Sequence, residues 1–127
     1  MPTFERLTTF LSKRCRCVPP PAPTGLAAAG GGGSSEVMVT WDPVAGSVQS
    51  YRVYRRKVAG SWWLLAVVTP DAVGLLVPGK LGIADAPDYW PWPSGADASA
   101  ERCYAVSAIA SDGLEGPMSV VACGTPT

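Results

Sequence analysis

Four cysteines, ten carboxylates and no histidine are the groups through which this chain of 127 residues would do chemistry. Without histidine there is no Ser-His or Cys-His nucleophile pair, and the usual general base at neutral pH is missing. Asp85, Asp88 and Asp97 fall in one stretch, where an acid-base pair or a calcium site would need them. Loop aspartates more often cap turns and stay solvated. The Gly30–Gly33 run lacks the Gly-Lys-Ser/Thr ending that cradles phosphate and reads as a loop. No catalytic, cofactor-binding or metal-ligating set emerges, so a non-enzymatic protein is expected.

Cysteine spacing is more informative. Arg102–Ala110 and Gly116–Cys123 form an evident hairpin about Ser111–Glu115. If it is centred on Gly113, opposed residues have numbers that sum to 226, as those of Cys103 and Cys123 do. Opposed Cα atoms in antiparallel strands lie about 4.5–5.5 Å apart, a span that a disulfide tolerates. The spacing predicts a cross-strand disulfide; the other reading is two buried thiols on adjacent strands, and a bulge would shift the register. Cys15 and Cys17 are too close to bond each other, and zinc needs about four ligands. They stand as thiols that bridge to another chain or remain inert.

Tyr89, Trp90 and Trp92, interleaved with proline, form the most unusual cluster. Such pre-ordered aromatics serve as interface anchors or sugar-stacking platforms when exposed. Their alternative is to fold back and plug one end of the domain. Trp62 and Trp63 alternate along a strand, which expects one in the core and the other on the outer face. Arg52, Arg56 and Lys57 read as a solvated face, with docking of an acidic partner as the alternative.

The elements that hold these groups are short strands. The content of 14 Gly and 13 Pro argues for many turns, while 47% apolar residues suffice for one core. Glu36–Trp41 alternates with Val37, Val39 and Trp41 on one face, and Tyr51–Lys57 alternates Tyr51, Val53 and Arg55 against Arg52, Tyr54 and Arg56. Leu26–Ala29, Trp62–Val68, Val73–Val77 and Leu81–Ala84 are the other expected strands, and 85–100 is a long loop. Strands at this spacing without helical patterning imply an all-β sandwich or small barrel.

Residues 1–17 differ from the rest. Phe4, Leu7 and Leu11, with Phe10 near the same face, have the spacing of a short amphipathic helix. Helices below about 12–15 residues seldom persist alone in water, so this arm needs a partner surface, on its own domain or on a neighbour. Arg6, Lys13, Arg14 and Arg16 against Glu5 give the arm a charge of +3, and because the whole chain is neutral the remainder carries −3. Residues 18–23 read as a stiff proline-rich linker, with the domain at 24–127. The body lacks the basic face of a nucleic-acid binder. No run approaches the roughly 18 apolar residues of a membrane span, and the N-terminus lacks the apolar core of a secretion signal, which expects a start in the cytoplasm.

Pro23-Thr-Gly-Leu26, Val37-Met-Val-Thr-Trp41-Asp-Pro43, Tyr51-Arg-Val-Tyr54, Cys103-Tyr-Ala-Val-Ser-Ala108 and Asp112-Gly-Leu-Glu-Gly-Pro-Met-Ser119 together resemble the fibronectin type III family in order and spacing over roughly residues 20–127. The resemblance implies an antiparallel sandwich of about seven strands. It implies that Trp41 is the core tryptophan of the second strand and that Tyr104 takes the place of the tyrosine-corner residue. The cysteine pair, the aromatic loop and the basic arm depart from the family's pattern, and the particular function is expected there. Modules resembling this one occur on phage tails and capsids.

The absent export signal, the expected disulfide and the adhesive arm point to a decorating or structural subunit of an extracellular assembly such as a phage virion. Its partners would be capsid, tail or other assembly subunits, in a homo- or hetero-oligomer, held through Phe4, Leu7, Phe10, Leu11 and Arg14. The alternative is a secreted or cell-surface module that binds carbohydrate or protein through Tyr89, Trp90 and Trp92.

Overall fold

The computed structural model describes residues 18–30, 36–57, 61–85 and 101–126. Seven strands follow one another: β1 (Ala27–Gly30), β2 (Val37–Trp41), β3 (Val48–Lys57), β4 (Trp63–Val68), β5 (Leu81–Asp85), β6 (Arg102–Ala110) and β7 (Ala122–Gly124). They form a three-stranded sheet in the order β1-β2-β5 and a four-stranded sheet in the order β4-β3-β6-β7. Every pairing is antiparallel. The expected seven-stranded all-β sandwich is the architecture found.

Alternation sets which side chains meet between the sheets. Val37, Val39 and Trp41 of β2 and Leu81 and Ile83 of β5 face Tyr51 and Val53 of β3 and Tyr104, Val106 and Ala108 of β6, all buried. The Trp41 and Tyr51 rings sit 5.7 Å apart at 60°, a tilted contact that aromatic quadrupoles favour. The Tyr51 hydroxyl also accepts the Val44 backbone N–H at 2.9 Å.

Three expectations fail for local reasons. Val73–Val77 is a turn, not a strand, preceded by a 3-10 turn at Pro70–Ala72. Gly74 and Gly79 adopt φ of 85° and 77° there, and the Gly74 N–H closes the loop on the Lys80 carbonyl at 2.9 Å; an extended run cannot accommodate either. Neither tryptophan of the Trp62-Trp63 pair reaches the core. A register shift beside Val53 and Tyr54 leaves Leu65 unpaired in the ladder and buried, while Trp63 stays 44% exposed.

The last hairpin is the third case. Cys103 stands opposite Cys123 and the disulfide forms, with Cα atoms 4.0 Å apart, but the turn is centred one residue earlier than Gly113. Ala110 pairs with Leu114 and Ile109 with Glu115. Six steps along β6 from Cys103 to Ile109 therefore face eight from Glu115 to Cys123. The surplus lies in 117–121, where Pro117 lacks an N–H and Ser119 bonds Val106 twice, N–H to carbonyl at 2.8 Å and Oγ from the Val106 N–H at 3.0 Å. The two bulged residues restore the register that the cysteines need.

An ionic tie crosses from sheet to sheet. Asp85, the last residue of β5, accepts Arg55 Nη1 of β3 on Oδ1 at 2.9 Å and Arg102 Nη1 of β6 on Oδ2 at 3.1 Å. The Tyr104 hydroxyl donates to the same Oδ2 at 2.5 Å, and Arg102 also reaches the Asp85 carbonyl at 3.1 Å. The side chains of Asp85, Arg55 and Arg102 are only 0%, 6% and 2% exposed. Burying ions costs several kcal/mol each, which only a close geometry with filled lone pairs offsets. Burial, reinforced by the Asp85 charge, drives the Tyr104 hydroxyl well above the usual tyrosine range, so it stays a donor. In the place of a tyrosine-corner residue, Tyr104 thus bonds a carboxylate side chain.

Two outcomes follow for stability. Asp85→Ala removes the carboxylate shared by two buried arginines and should lower the unfolding free energy by about 3–5 kcal/mol, read from urea denaturation. Reducing Cys103–Cys123, or replacing both by Ala, should cost about 2–4 kcal/mol, because the bridge closes a loop of 20 residues in the unfolded chain. An unchanged midpoint after reduction would show that β7 does not depend on the bond.

Candidate functional site

The aromatic cluster Tyr89, Trp90 and Trp92 and the arm residues Phe4, Leu7, Phe10, Leu11 and Arg14 lie outside the described residues, as do Cys15, Cys17, Asp88 and Asp97. Their roots are described. β5 ends at Asp85, just before 86–100, and β6 begins at Arg102, just after it, so the Asp85–Arg102 ion pair joins the two strand ends that flank the aromatic segment in sequence. Asp85 was grouped by sequence with the loop carboxylates; it is instead a strand residue, fully buried and engaged by Arg55, Arg102 and Tyr104. The signal that could have revealed it is Arg55, which alternation placed on the core face beside Tyr51 and Val53. A buried arginine there requires a carboxylate facing it from the other sheet.

The same end of the sandwich carries Trp62 and Trp63. The Arg56 guanidinium lies 4.4 Å from the centre of the Trp62 ring, a cation–π contact. Arg52 is also engaged: its Nη1 donates to Glu115 Oε1 at 3.0 Å. Arg52 is thus paired with a carboxylate, whereas Arg56 rests on the Trp62 ring and its Nε makes no hydrogen bond among the described residues.

Glu115 organises the outer surface of the four-stranded sheet. Its Oε2 accepts the Tyr54 hydroxyl at 2.7 Å and the Ser107 hydroxyl at 2.5 Å. Partial burial would raise its pKa, but hydrogen bonds from Ser107 and Tyr54 and the Arg52 charge together outweigh that and hold it below the usual glutamate range. Burial, followed by the hydrogen bond to Glu115, raises Tyr54.

The outer surface of the three-stranded sheet is of another kind. Register with Val37, Val39 and Trp41 puts those residues inward and leaves Ala27, Ala29, Met38, Thr40, Gly82 and Ala84 facing out. None is charged. Beside them the loop after β4 presents Leu75 at 74% exposure, with Val73, Leu76 and Val77 also exposed. Leu76 packs toward Gly82 and Thr40, so this loop forms the lip of the sheet face. Of the six face residues Ala27 and Ala29 are exposed, Met38, Thr40 and Ala84 half-buried and Gly82 buried, so the exposed apolar surface here lies chiefly in the loop.

The arm's root is at the opposite end from Asp85. Pro23 is buried, and the Pro20 carbonyl lies so close to Gly116 that no side chain would fit there. Val18 and Pro20 line a groove with Ala45, Val48, Ala110 and Asp112, at the ends of β3 and β6. No helix among the described residues is long and apolar enough to cross a membrane.

No protein-family model matches the chain. No curated protein matches it either. Solved structures do. An Fn3-like protein from Clostridium thermocellum is 24% identical, covering 85% of this chain and 94% of that one, with a TM-score of 0.59. A β-1,2-glucanase from Parabacteroides distasonis matches at 17% identity over 85% of this chain but 12% of its own, with a TM-score of 0.57. A pectate lyase from Pectobacterium carotovorum matches at 14% identity over 80% of this chain and 27% of its own, with a TM-score of 0.53. At these identities the likeness shows the fold, which is fibronectin type III-like.

The Glu115 cluster has a pH signature. Its folded pKa is depressed, so the stability it contributes is complete above the unfolded glutamate value of about 4.3 and fades as pH falls through the folded one. Glu115→Gln should flatten the acid limb of a thermal-melt profile below about pH 4.5 and leave the shape above it unchanged. Identical acid limbs would show that Glu115 gains nothing from its three donors.

Proposed function

We propose that this chain is a member of the fibronectin type III family acting as a non-enzymatic assembly module. In this reading it is a decorating or structural subunit of an extracellular assembly such as a phage virion, anchored by its N-terminal arm. The observation that carries it is the uncharged outer face of the three-stranded sheet with its exposed lip at Leu75–Val77. Neighbouring exposed apolar residues favour a contact surface, which an assembly subunit would cover. The Cys103–Cys123 bond supports work outside a reducing compartment. The partners are other assembly subunits, and the amphipathic, basic arm is the adhesive element.

The test is the arm. Full-length protein should associate, with itself or with particle subunits, in light scattering and co-sedimentation, and a chain lacking residues 1–17 should run as a folded monomer. A full-length chain that stays monomeric and leaves particles unbound would overturn the reading.

A second reading, a carbohydrate- or protein-binding module acting through Tyr89, Trp90 and Trp92, has one observation in its favour. The segment that bears them springs from the buried Asp85–Arg102 pair, a stiff base of the kind that binding loops use. The glucanase and the pectate lyase, named for acting on polysaccharides, each contain a similar fold within a longer chain. Affinity electrophoresis in polysaccharide gels should then show retardation that Trp90→Ala with Trp92→Ala removes; equal mobility of the two proteins would refute it.

A further inference from the structure

We propose that Cys123 is a thiol-exchange site: an incoming thiolate attacks its exposed sulfur, becomes disulfide-linked to it, and releases the buried Cys103 sulfur as a thiolate beside Arg56. This chemistry does not depend on the assembly role. Two features of the structure and one of the sequence point to it.

The first is unequal access. The two cysteines stand directly opposite each other on β6 and β7, yet Cys103 is buried at 2% exposure while Cys123 is exposed. Exchange requires a thiolate to reach one of the two sulfurs, so access selects the one attacked. Attack is thereby directed to Cys123, and Cys103 becomes the leaving group.

The second is the neighbour of that leaving group. Arg55, Arg102 and Tyr104 turn inward to Asp85, so Arg56 and Cys103, the next residues along their strands, face outward. Register sets Arg56 directly opposite Cys103, and Cys103 opposite Cys123, in one row across three strands. Opposed Cβ atoms lie about 4.5–5.5 Å apart. The Arg56 Nε is buried and makes no hydrogen bond among the described residues. A neighbouring guanidinium favours a thiolate, and a leaving thiol of lower pKa departs faster. The cation that a Cys103 thiolate needs is in place before the bond opens.

The third is a reagent within the chain. Lys13, Arg14 and Arg16 flank Cys15 and Cys17 in sequence, and cationic neighbours favour the nucleophilic thiolate. For Cys123, a thiolate from another copy and one from a soluble thiol are equivalent in chemistry. In the step, a new S–S bond forms at Cys123 as the Cys103–Cys123 bond breaks, and the electron pair of the broken bond passes to Cys103 Sγ. The negative charge moves from the incoming sulfur to Cys103, no proton is transferred and no oxidant is consumed. Attack by Cys103 in reverse expels the thiol and restores the bond.

Site mapping tests this. Full-length protein carrying Cys15→Ser and Cys17→Ser is incubated, oxidised and folded, with reduced glutathione, quenched with iodoacetamide and digested for mass spectrometry. Glutathione should be found on Cys123 and the carbamidomethyl group on Cys103. Equal labelling of both sulfurs, or no mixed disulfide until urea unfolds the chain, overturns the inference. Arg56→Met removes the charge, keeps an apolar stem, and should slow mixed-disulfide formation about three- to tenfold. A merely structural loss would act in the opposite direction, because a loosened β7 is easier to attack; an unchanged or faster rate overturns the part given to Arg56. The mapping result does not depend on that variant folding. With no thiol added, oligomers of the unsubstituted chain linked through Cys123, and lost with Cys15→Ser and Cys17→Ser, identify the arm as the source. Monomers that still capture glutathione identify a soluble thiol.

Discussion

Hydrophobic burial brings two sheets together but is non-directional, and it leaves their relative position soft. Asp85 supplies the direction. Its two oxygens, rooted at the end of β5, take donors from β3 and β6 of the other sheet, and charge-assisted hydrogen bonds tolerate little displacement. The apolar residues Val37, Val39, Leu81 and Val106 make the sheets adhere; the carboxylate states where. Because Asp85 and Arg102 are also the residues between which 86–100 departs and returns, the constraint that positions the sheets fixes the foot of that segment as well.

Much of this framework could be read from the chain. Period-two alternation identified β2 and β3 and placed Tyr51, Val53 and Arg55 inward, because a half-buried strand has few other ways to arrange such residues. Cys103 and Cys123 were paired from hairpin symmetry, yet the symmetry itself is absent: the turn is shifted toward Asp112, and 117–121 compensates. The disulfide selects the register at the base, and the bulge absorbs the difference. Val73–Val77 misled because an apolar run signals burial or contact without saying which. Its one glycine, Gly74, takes a positive φ that a strand does not accommodate.

The candidate site was legible unevenly. Aromatic and amphipathic segments announce themselves locally, since their residues are neighbours in sequence. The bare face does not: Ala27, Ala29, Met38, Thr40, Gly82 and Ala84 come from three strands, and only the order β1-β2-β5 makes them one surface. Nothing in any one of those strands is unusual. Likewise Glu115 reads as a turn residue until topology sets it over Arg52, Tyr54 and Ser107. Sequence reports what a segment is, and pairing decides what it is beside.

The two outer surfaces differ in chemistry. That of the four-stranded sheet carries the Glu115 cluster and the Arg56–Trp62 contact beside exposed Leu64 and Val67. That of the three-stranded sheet has no charged residue among those facing out, and its exposed apolar side chains lie in the neighbouring loop at 73–77. The poles differ too: the described root of the arm lies at the start of β3, while the disulfide and the Asp85 tie lie toward the other end of that ten-residue strand.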